Sequence, residues 1–484
     1  ERDQRHGRPA HLRGHLPDDA SHECQMSQTA SDILTAPQAT DTAGKALLRW
    51  LLVGYLVCMP IQIETPFDIR FAPSDLFLLP ALLLGLRVWR IGGPAWSPWH
   101  VGLLGLFLVW TLAKILVTGS VTQYILLNKM GGIVLLFAFY VCFTSLTDSW
   151  EDLRWFLKAF VLSVVVLNTA SAAAFLWCGY TGSTNPLFQF LISGGVDRLA
   201  GMLVDPNAYG GLLTVAYAIL LLDGDSERPL LSRCLRLLGL VSLSAGLMLT
   251  SSRSAWIGFA VLTLVGAARN PRLLLLVLVM AAVGVAAVAY SAGEEGFESL
   301  LATSSRRDTI DERLEINRNA LQMFLEHPGF GAGIGSYYEE YDIIVHNSAL
   351  WFLAEFGAVG GFTAFAGFAL WFLVTGVQVY RRVGAGRQPL VVGLVAAHLA
   401  MMGFSLGVEA FYQRYWWLVL AALGSAATVA GSARRLATVV ARSPDRATGP
   451  TAGLPLLPET CGHKPWHGQE TVPQQAASPR RTLL

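Results

Sequence analysis

Long apolar segments dominate the chain and alternate with polar connections. About twelve of them reach roughly 17 to 25 residues, the length that a helix needs to cross about 30 Å of hydrocarbon. The pattern therefore predicts an all-α integral membrane protein with about 12 transmembrane helices. The segments lie near residues 46–62, 73–89, 99–118, 124–146, 155–178, 206–222, 236–251, 253–268, 272–291, 357–380, 389–408 and 413–432.

The weakest point of this count is the boundary between the seventh and eighth segments, where only Thr250, Ser251, Ser252 and Arg253 intervene. A single kinked helix there would invert every later segment. Charge favours two helices: with both ends of the chain inside, arginines and lysines concentrate in the inner connections. This positive-inside bias is typical of a multi-pass protein of the bacterial inner membrane.

One connection, on the outer side by this count, is much longer than the others and is expected to form a large periplasmic loop containing short helices. It includes a polar helical stretch from Asp308 to Glu326, a break at His327-Pro328-Gly329, and an amphipathic piece that begins at His346. The chain is thereby divided into an N-terminal arm that is disordered or introduced by cloning (1–45), transmembrane helices 1–9 (46–291), the periplasmic loop region (292–356), helices 10–12 (357–433) and a disordered cytoplasmic tail (434–484).

Composition supports the membrane assignment and excludes other classes. Apolar residues make up 53% of the chain and charged residues only 14%, whereas a soluble domain carries about 25% charged residues. A net charge of +1 provides no basic excess for a nucleic-acid partner. The six cysteines are far apart and indicate neither a disulfide framework nor a zinc site. Motifs for ATP binding, zinc proteolysis and serine hydrolysis are absent from the sequence.

Three arginines lie beside apolar sequence at the outer edge, where the positive-inside rule disfavours them: Arg198, Arg253 and Arg414. Each could extend to the lipid headgroups or pair with an acid such as Asp205 or Glu409. Alternatively, the arginines converge on an anionic ligand, since a guanidinium group matches phosphate oxygens in a bidentate way.

His346 is a candidate general base in the outer loop. A histidine titrates near neutrality and can accept a proton from an attacking hydroxyl. It could instead simply precede a helix, because Asn347 or Ser348 is a natural N-cap residue. His327, which directly precedes Pro328 in the same connection, is more typical of a helix end. The acidic stretch at 337–342 could chelate a divalent ion, but it is more typical of a solvated face, and no metal site is expected.

In their order along the chain, these residues resemble the O-antigen ligase and polymerase superfamily. The similarity covers roughly residues 46–432. The motifs that carry it are Arg198-Leu199-Ala200-Gly201, Asp205-Pro206-Asn207-Ala208-Tyr209-Gly210, Thr250-Ser251-Ser252-Arg253-Ser254-Ala255, Arg313 ahead of His327-Pro328-Gly329-Phe330-Gly331-Ala332-Gly333, and His346-Asn347-Ser348 followed by Glu355-Phe356-Gly357-Ala358-Val359-Gly360.

The resemblance implies a glycosyltransferase of the inner membrane with a periplasmic active site and no cofactor. Its partners would be an undecaprenyl-diphosphate-linked glycan, a lipid A-core acceptor and membrane lipids. The implied substrate-binding residues are Arg198, Arg253 and Asn207, with Arg313 in support, and His346 is the implied catalytic base. Topology, rather than a motif, adds Arg414 to the substrate-binding set. A single displacement would then invert the anomeric configuration.

Other functions are also compatible with the sequence. The family includes ligases that pass O-antigen to lipid A-core, polymerases that extend lipid-linked repeats, and ligases that glycosylate proteins; the ligase of lipopolysaccharide is favoured. A twelve-span secondary transporter would also fit the length. Buried carboxylates in the middle of the membrane would favour transport, whereas a cluster of arginines and a histidine at one edge would favour transfer chemistry.

Overall fold

A computed structural model describes residues 42–441 except 65–69, 87–88, 90–92, 119–121, 123, 193–197, 270 and 272–303. The first part of the fold contains α1 (Thr42–Cys58), β1 (Ile63–Glu64), β2 (Arg70–Phe71), α2 (Asp75–Gly85), α3 (Pro98–Thr118), a π-helical turn (Tyr124–Gly131), α4 (Gly132–Leu146), α5 (Trp150–Thr181), α6 (Pro186–Leu191) and α7 (Pro206–Leu222). The second part contains α8 (Arg233–Thr250), α9 (Arg253–Arg269), α10 (Ser304–Glu326), α11 (Ser336–Tyr341), α12 (Ser348–Gly360), a π-helical segment (Gly361–Phe368), α13 (Ala369–Arg382), α14 (Gln388–Phe404) and α15 (Arg414–Ala441).

The predicted all-α character is confirmed for the described residues, in which the two-residue strands β1 and β2 form one antiparallel pair. Helices occupy eleven of the twelve predicted segments, while the ninth, 272–291, lies outside the described residues. Six helical stretches are long and apolar enough to cross a membrane: Pro98–Val117, Lys129–Leu146, Trp150–Thr181, Arg233–Thr250, Ser348–Arg382 and Arg414–Ala433. The count of twelve spans stays a prediction.

The seventh and eighth segments form two separate helices. Helix α8 ends at Thr250, Ser251 adopts a left-handed conformation with φ of 48°, and α9 begins at Arg253. Both helices pack on α7: Gly239 near the start of α8 lies against Leu220 near the end of α7, whereas the first turns of α7 and α9 meet at Gly210. Helix α8 therefore runs antiparallel to α7, and α9 runs parallel to it.

Local sequence explains where several helices begin. Ser149 and Asp152 form a reciprocal capping box at the start of α5. Asp205 caps α7 by accepting a hydrogen bond from the Asn207 backbone nitrogen at 2.8 Å. Asn347, one of the two N-cap candidates in the sequence, caps α12 by accepting from two backbone nitrogens. These caps fix the chain on either side of the residues expected to carry the chemistry.

The ends of the predicted segments differ from the structure in two places. The tenth helical stretch begins at Ser348 instead of near residue 357, and it continues past a non-helical Gly357 through the π-helical segment into α13. The last helix, α15, continues to Ala441, into the segment expected to be a disordered tail. The remainder of that tail and residues 1–41 of the predicted arm lie outside the described residues.

Candidate active site

Three helix N-termini meet at one end of the bundle, those of α7, α9 and α12. The first turns of α7 and α9 pack together through Gly210 and Ala255. The loop formed by residues 405–413, between α14 and α15, connects α9 to α12: Gly407 lies against Ser254, and the Ser348 nitrogen donates to the Ser405 carbonyl at 2.9 Å. Side-chain caps already engage several N–H groups of these helices, but the partial positive charge of the N-termini remains, so their convergence favours an anionic ligand.

Arg198 is fixed beside these N-termini by hydrogen bonds. Its Nε donates to the Thr250 carbonyl and its Nη2 to the Asn207 side-chain oxygen, each at 3.0 Å. The same Asn207 oxygen also accepts from the Ser252 hydroxyl at 3.0 Å. The two predicted substrate-binding residues Arg198 and Asn207 are thus in direct contact, and Ser252 ties both of them to the start of α9.

Arg253 and Arg313 bring two further guanidinium groups to this region. Arg253 is the exposed first residue of α9, and Arg313 is a half-buried residue of α10. Burial and the nearby charge of Arg253 lower the pKa of Arg313, while Asp205 opposes that effect. Two arginines close enough to repel each other gain stabilisation when a polyvalent anion binds between them.

His346 belongs to the same cluster of charges. Burial lowers the pKa of His346, and the Arg313 guanidinium lowers it further, whereas Asp205, Glu409 and Glu312 act in the opposite direction. At neutral pH the imidazole is therefore mainly in its neutral form, which is the form that can accept a proton. The structure brings together Arg198, Asn207, Arg253, Arg313 and His346, although they come from five separate stretches of the sequence.

The loop at 405–413 holds the residues that follow His346. The Asn347 side-chain nitrogen donates to the Leu406 carbonyl at 3.1 Å, and the Ser348 hydroxyl bridges the Val408 carbonyl and the Ala410 nitrogen at 3.2 and 2.8 Å. Arg313 also donates to this loop, at the Gly407 carbonyl, with a length of 3.4 Å. One loop thus fixes the segment carrying the imidazole and contacts one of the arginines.

Arg414 has a different set of partners from the other predicted site residues. Its guanidinium donates to the Ser74 hydroxyl at 2.7 Å and to the Asp75 carboxylate at 2.8 Å. These contacts join α15 to the start of α2. Because an ion pair already neutralises Arg414, it is less suited to holding a diphosphate than Arg253 or Arg313, and its role in substrate binding stays a prediction.

One acid of the acidic stretch at 337–342 is already ion-paired. Glu339 in α11 forms an ion pair with Lys114 at the end of α3. Within the ranges that the structure describes, groups of three or more His, Cys, Asp or Glu side chains suited to a metal ion are not found. The expectation of metal-independent chemistry stays a prediction, which chelation can test.

Two features of this site have no motif in the sequence. Lys129, in the π-helical turn before α4, is buried and paired with Glu409 of the loop. The loop itself contains no motif that marks it as part of the site. The sequence does contain one indication of the buried pair: Lys129 stands next to an apolar stretch, and a charge beside hydrocarbon needs a partner.

The helical architecture and the charged cluster define a multi-pass membrane protein with a site suited to an anionic substrate. Residues 238–365 match the model of a family described as O-antigen ligase. Over this range, the match supports an O-antigen ligase superfamily assignment and agrees with the resemblance found in the sequence. The matched range contains Arg253, Arg313 and His346. No curated protein sequence matches the chain.

Proposed function

We propose that the protein is an O-antigen ligase that transfers a glycan from undecaprenyl diphosphate to lipid A-core on the periplasmic face of the bacterial inner membrane. The observation that carries the proposal is the meeting of Arg198, Arg253, Arg313 and His346 at three helix N-termini. The family match supports the more general activity, that of a membrane glycosyltransferase of the ligase and polymerase superfamily.

The chemistry follows from the charges. A diphosphate is a leaving group of low pKa, which needs neutralisation of its charge more than a proton, and the three guanidinium groups supply it. His346 accepts the proton of the acceptor hydroxyl as that oxygen attacks the anomeric carbon. The new glycosidic C–O bond forms while the C–O bond to the diphosphate breaks, and the diphosphate leaves with the electron pair. A single displacement of this kind inverts the anomeric centre.

Buried acids were the feature expected of a transporter, and the described helices contain two, Glu355 and Asp223, whose backbone partners argue for a structural role. Glu355 in α12 is 1% exposed, yet its carboxylate accepts from the Gly335 nitrogen at 2.9 Å. Asp223, at the end of α7, accepts from the Leu230 nitrogen at 2.5 Å. Each acid is bound to the backbone of a neighbouring connection, which is a structural arrangement. A relay of carboxylates through the membrane would be expected of an ion-coupled transporter.

Deletion of the gene in its host tests the proposal and separates the branches of the family. A ligase predicts full-length glycan retained on the polyprenyl carrier and lipid A-core without glycan. Core carrying a single repeat would instead identify a polymerase. Unchanged surface lipids together with unglycosylated proteins would identify a protein ligase, and an unchanged profile of both would contradict transfer chemistry altogether.

Arg253→Lys is expected to reduce transfer about ten- to a hundredfold, because an ammonium group cannot replace two parallel hydrogen bonds to a phosphate. The measurement is the initial rate of transfer by purified protein. Arg318→Lys is the matched control: Arg318 lies on the exposed face of α10 and is not part of the cluster. Wild-type turnover by Arg253→Lys would argue against bidentate contact.

Chelation is expected to leave the purified protein active. The guanidinium groups carry the neutralising charge in this proposal, so EDTA removes nothing that the reaction needs. The rate is measured before and after dialysis against EDTA, and again after Mg²⁺ or Mn²⁺ is added. A loss of activity that either ion restores would indicate a metal site instead, with the acidic stretch at 337–342 as the first candidate.

A further inference from the structure

Lys129 is a buried cation at the edge of a candidate membrane span. Only 3% of its surface is exposed, and its ammonium group forms an ion pair with Glu409. The nitrogen also lies 4.3 Å from the centre of the Trp351 ring and 5.0 Å from that of Tyr412. A buried charge is costly unless it is fully paired, so this arrangement calls for a reason beyond packing.

The pair is connected to the candidate base through the loop at 405–413. Glu409 lies in this loop between Val408 and Ala410, the two residues that hydrogen-bond the Ser348 hydroxyl. Tyr412, at the other end of the loop, donates its hydroxyl to the Lys129 carbonyl at 3.2 Å. Lys129 thus holds the loop by both its side chain and its backbone, and the loop holds the residues after His346.

We propose that the Lys129–Glu409 pair positions His346, because it fixes the loop that holds the residues directly after the imidazole. This inference rests on the proposed role of His346 as base. Neither residue touches the substrate in this proposal, so both are positioning residues. They affect the reaction rate only by setting the position and the protonation state of the His346 imidazole.

The charges around His346 determine the direction in which its pKa should change when Glu409 is neutralised. Arg313 favours the neutral imidazole, while Asp205, Glu409 and Glu312 favour the protonated form. Removing the Glu409 charge takes away one of the three carboxylates that stabilise the imidazolium, so the pKa of His346 should fall.

The test is Glu409→Gln, which keeps the size of the side chain and removes its charge. Diethyl pyrocarbonate reacts with the neutral imidazole, so the rate at which it modifies His346, measured by peptide mass spectrometry across pH, gives the pKa of that residue. The expected fall is about half a pH unit. In purified protein the acid limb of the transfer rate should move to lower pH by the same amount.

Glu339→Gln is the matched control, since Glu339 also pairs with a lysine, Lys114, and is not in the loop. It should leave the pKa of His346 unchanged. An unchanged pKa in Glu409→Gln would overturn the proposal, as would equal shifts in the two variants. If Glu409→Gln does not accumulate, Lys129→Met is compared with Lys129→Met/Glu409→Gln, where a fall of the same sign is expected between the two.

The two proposals fail in different ways. The modification experiment needs no glycan, so it reports on the coupling of Glu409 to His346 even if wild-type protein transfers nothing. Conversely, transfer by the wild type with no shift in Glu409→Gln would leave the ligase function in place and remove only the positioning role.

Discussion

His346→Ala is expected to abolish glycan transfer while the protein still accumulates in the membrane. A general base contributes about a hundred- to ten-thousandfold to a rate, and the cluster offers no second imidazole within the described residues. The side chain of His346 is half-buried and the hydrogen bonds of its segment are made by Asn347 and Ser348, so the local fold does not depend on the ring.

The measurement is the transfer rate of purified variant, together with its expression and thermal stability. His327→Ala is the matched control, because His327 is an exposed histidine at the end of α10 in the same outer connection. It should keep full activity. Substantial transfer by His346→Ala would remove the histidine from the mechanism and leave charge neutralisation as the principal contribution of the site.

The second large effect is expected from Gly357→Ala, which should destabilise the protein by about 2–5 kcal/mol. Gly357 adopts φ of 63° and ψ of −164°, a region open essentially to glycine alone. A Cβ atom there would also overlap the Gly329 carbonyl oxygen and the Gly331 nitrogen. Both the backbone strain and the overlap must be relieved by moving the glycine turn that follows α10.

Thermal unfolding of detergent-solubilised protein measures this loss, and a fall in the amount of folded protein accompanies it. Gly329→Ala serves as control, because a Cβ at Gly329 meets nothing within 4 Å and its φ is not positive. If Gly357→Ala is as stable as the wild type, the contact between the glycine turn and α12 does not constrain the fold as described.

Much of the fold follows from hydropathy alone. Apolar segments of sufficient length mark the helices, and the Thr250–Arg253 interruption marks a real break because Ser251 turns the chain with a positive φ. Polar caps such as Asn347 are equally local signals. The tenth apolar segment was placed from residue 357 onward because Gly357 resembles a helix boundary in sequence, whereas in the structure it interrupts a helical stretch that begins at Ser348.

The site was predictable only where it carries motifs. Arg198, Arg253 and His346 stand in recognisable sequence, whereas the Lys129–Glu409 pair joins residues 280 positions apart. No local pattern indicates which acid a lysine will meet at that distance. Arg414 illustrates the same limit, since topology grouped it with the other outer arginines but its guanidinium is held by Asp75, 339 positions away.

The meeting of distant segments also governs when the enzyme can first act. Arg198 and Asn207 are synthesised early, yet the 405–413 loop, which contacts Arg313 and holds the residues after His346, leaves the ribosome about two hundred residues later. A nascent chain that stalls before that point therefore carries an unfinished reaction centre. Under the proposed function, such a chain would lack His346 or the loop that holds it, and the lipid-linked donor would not be consumed by an incomplete protein.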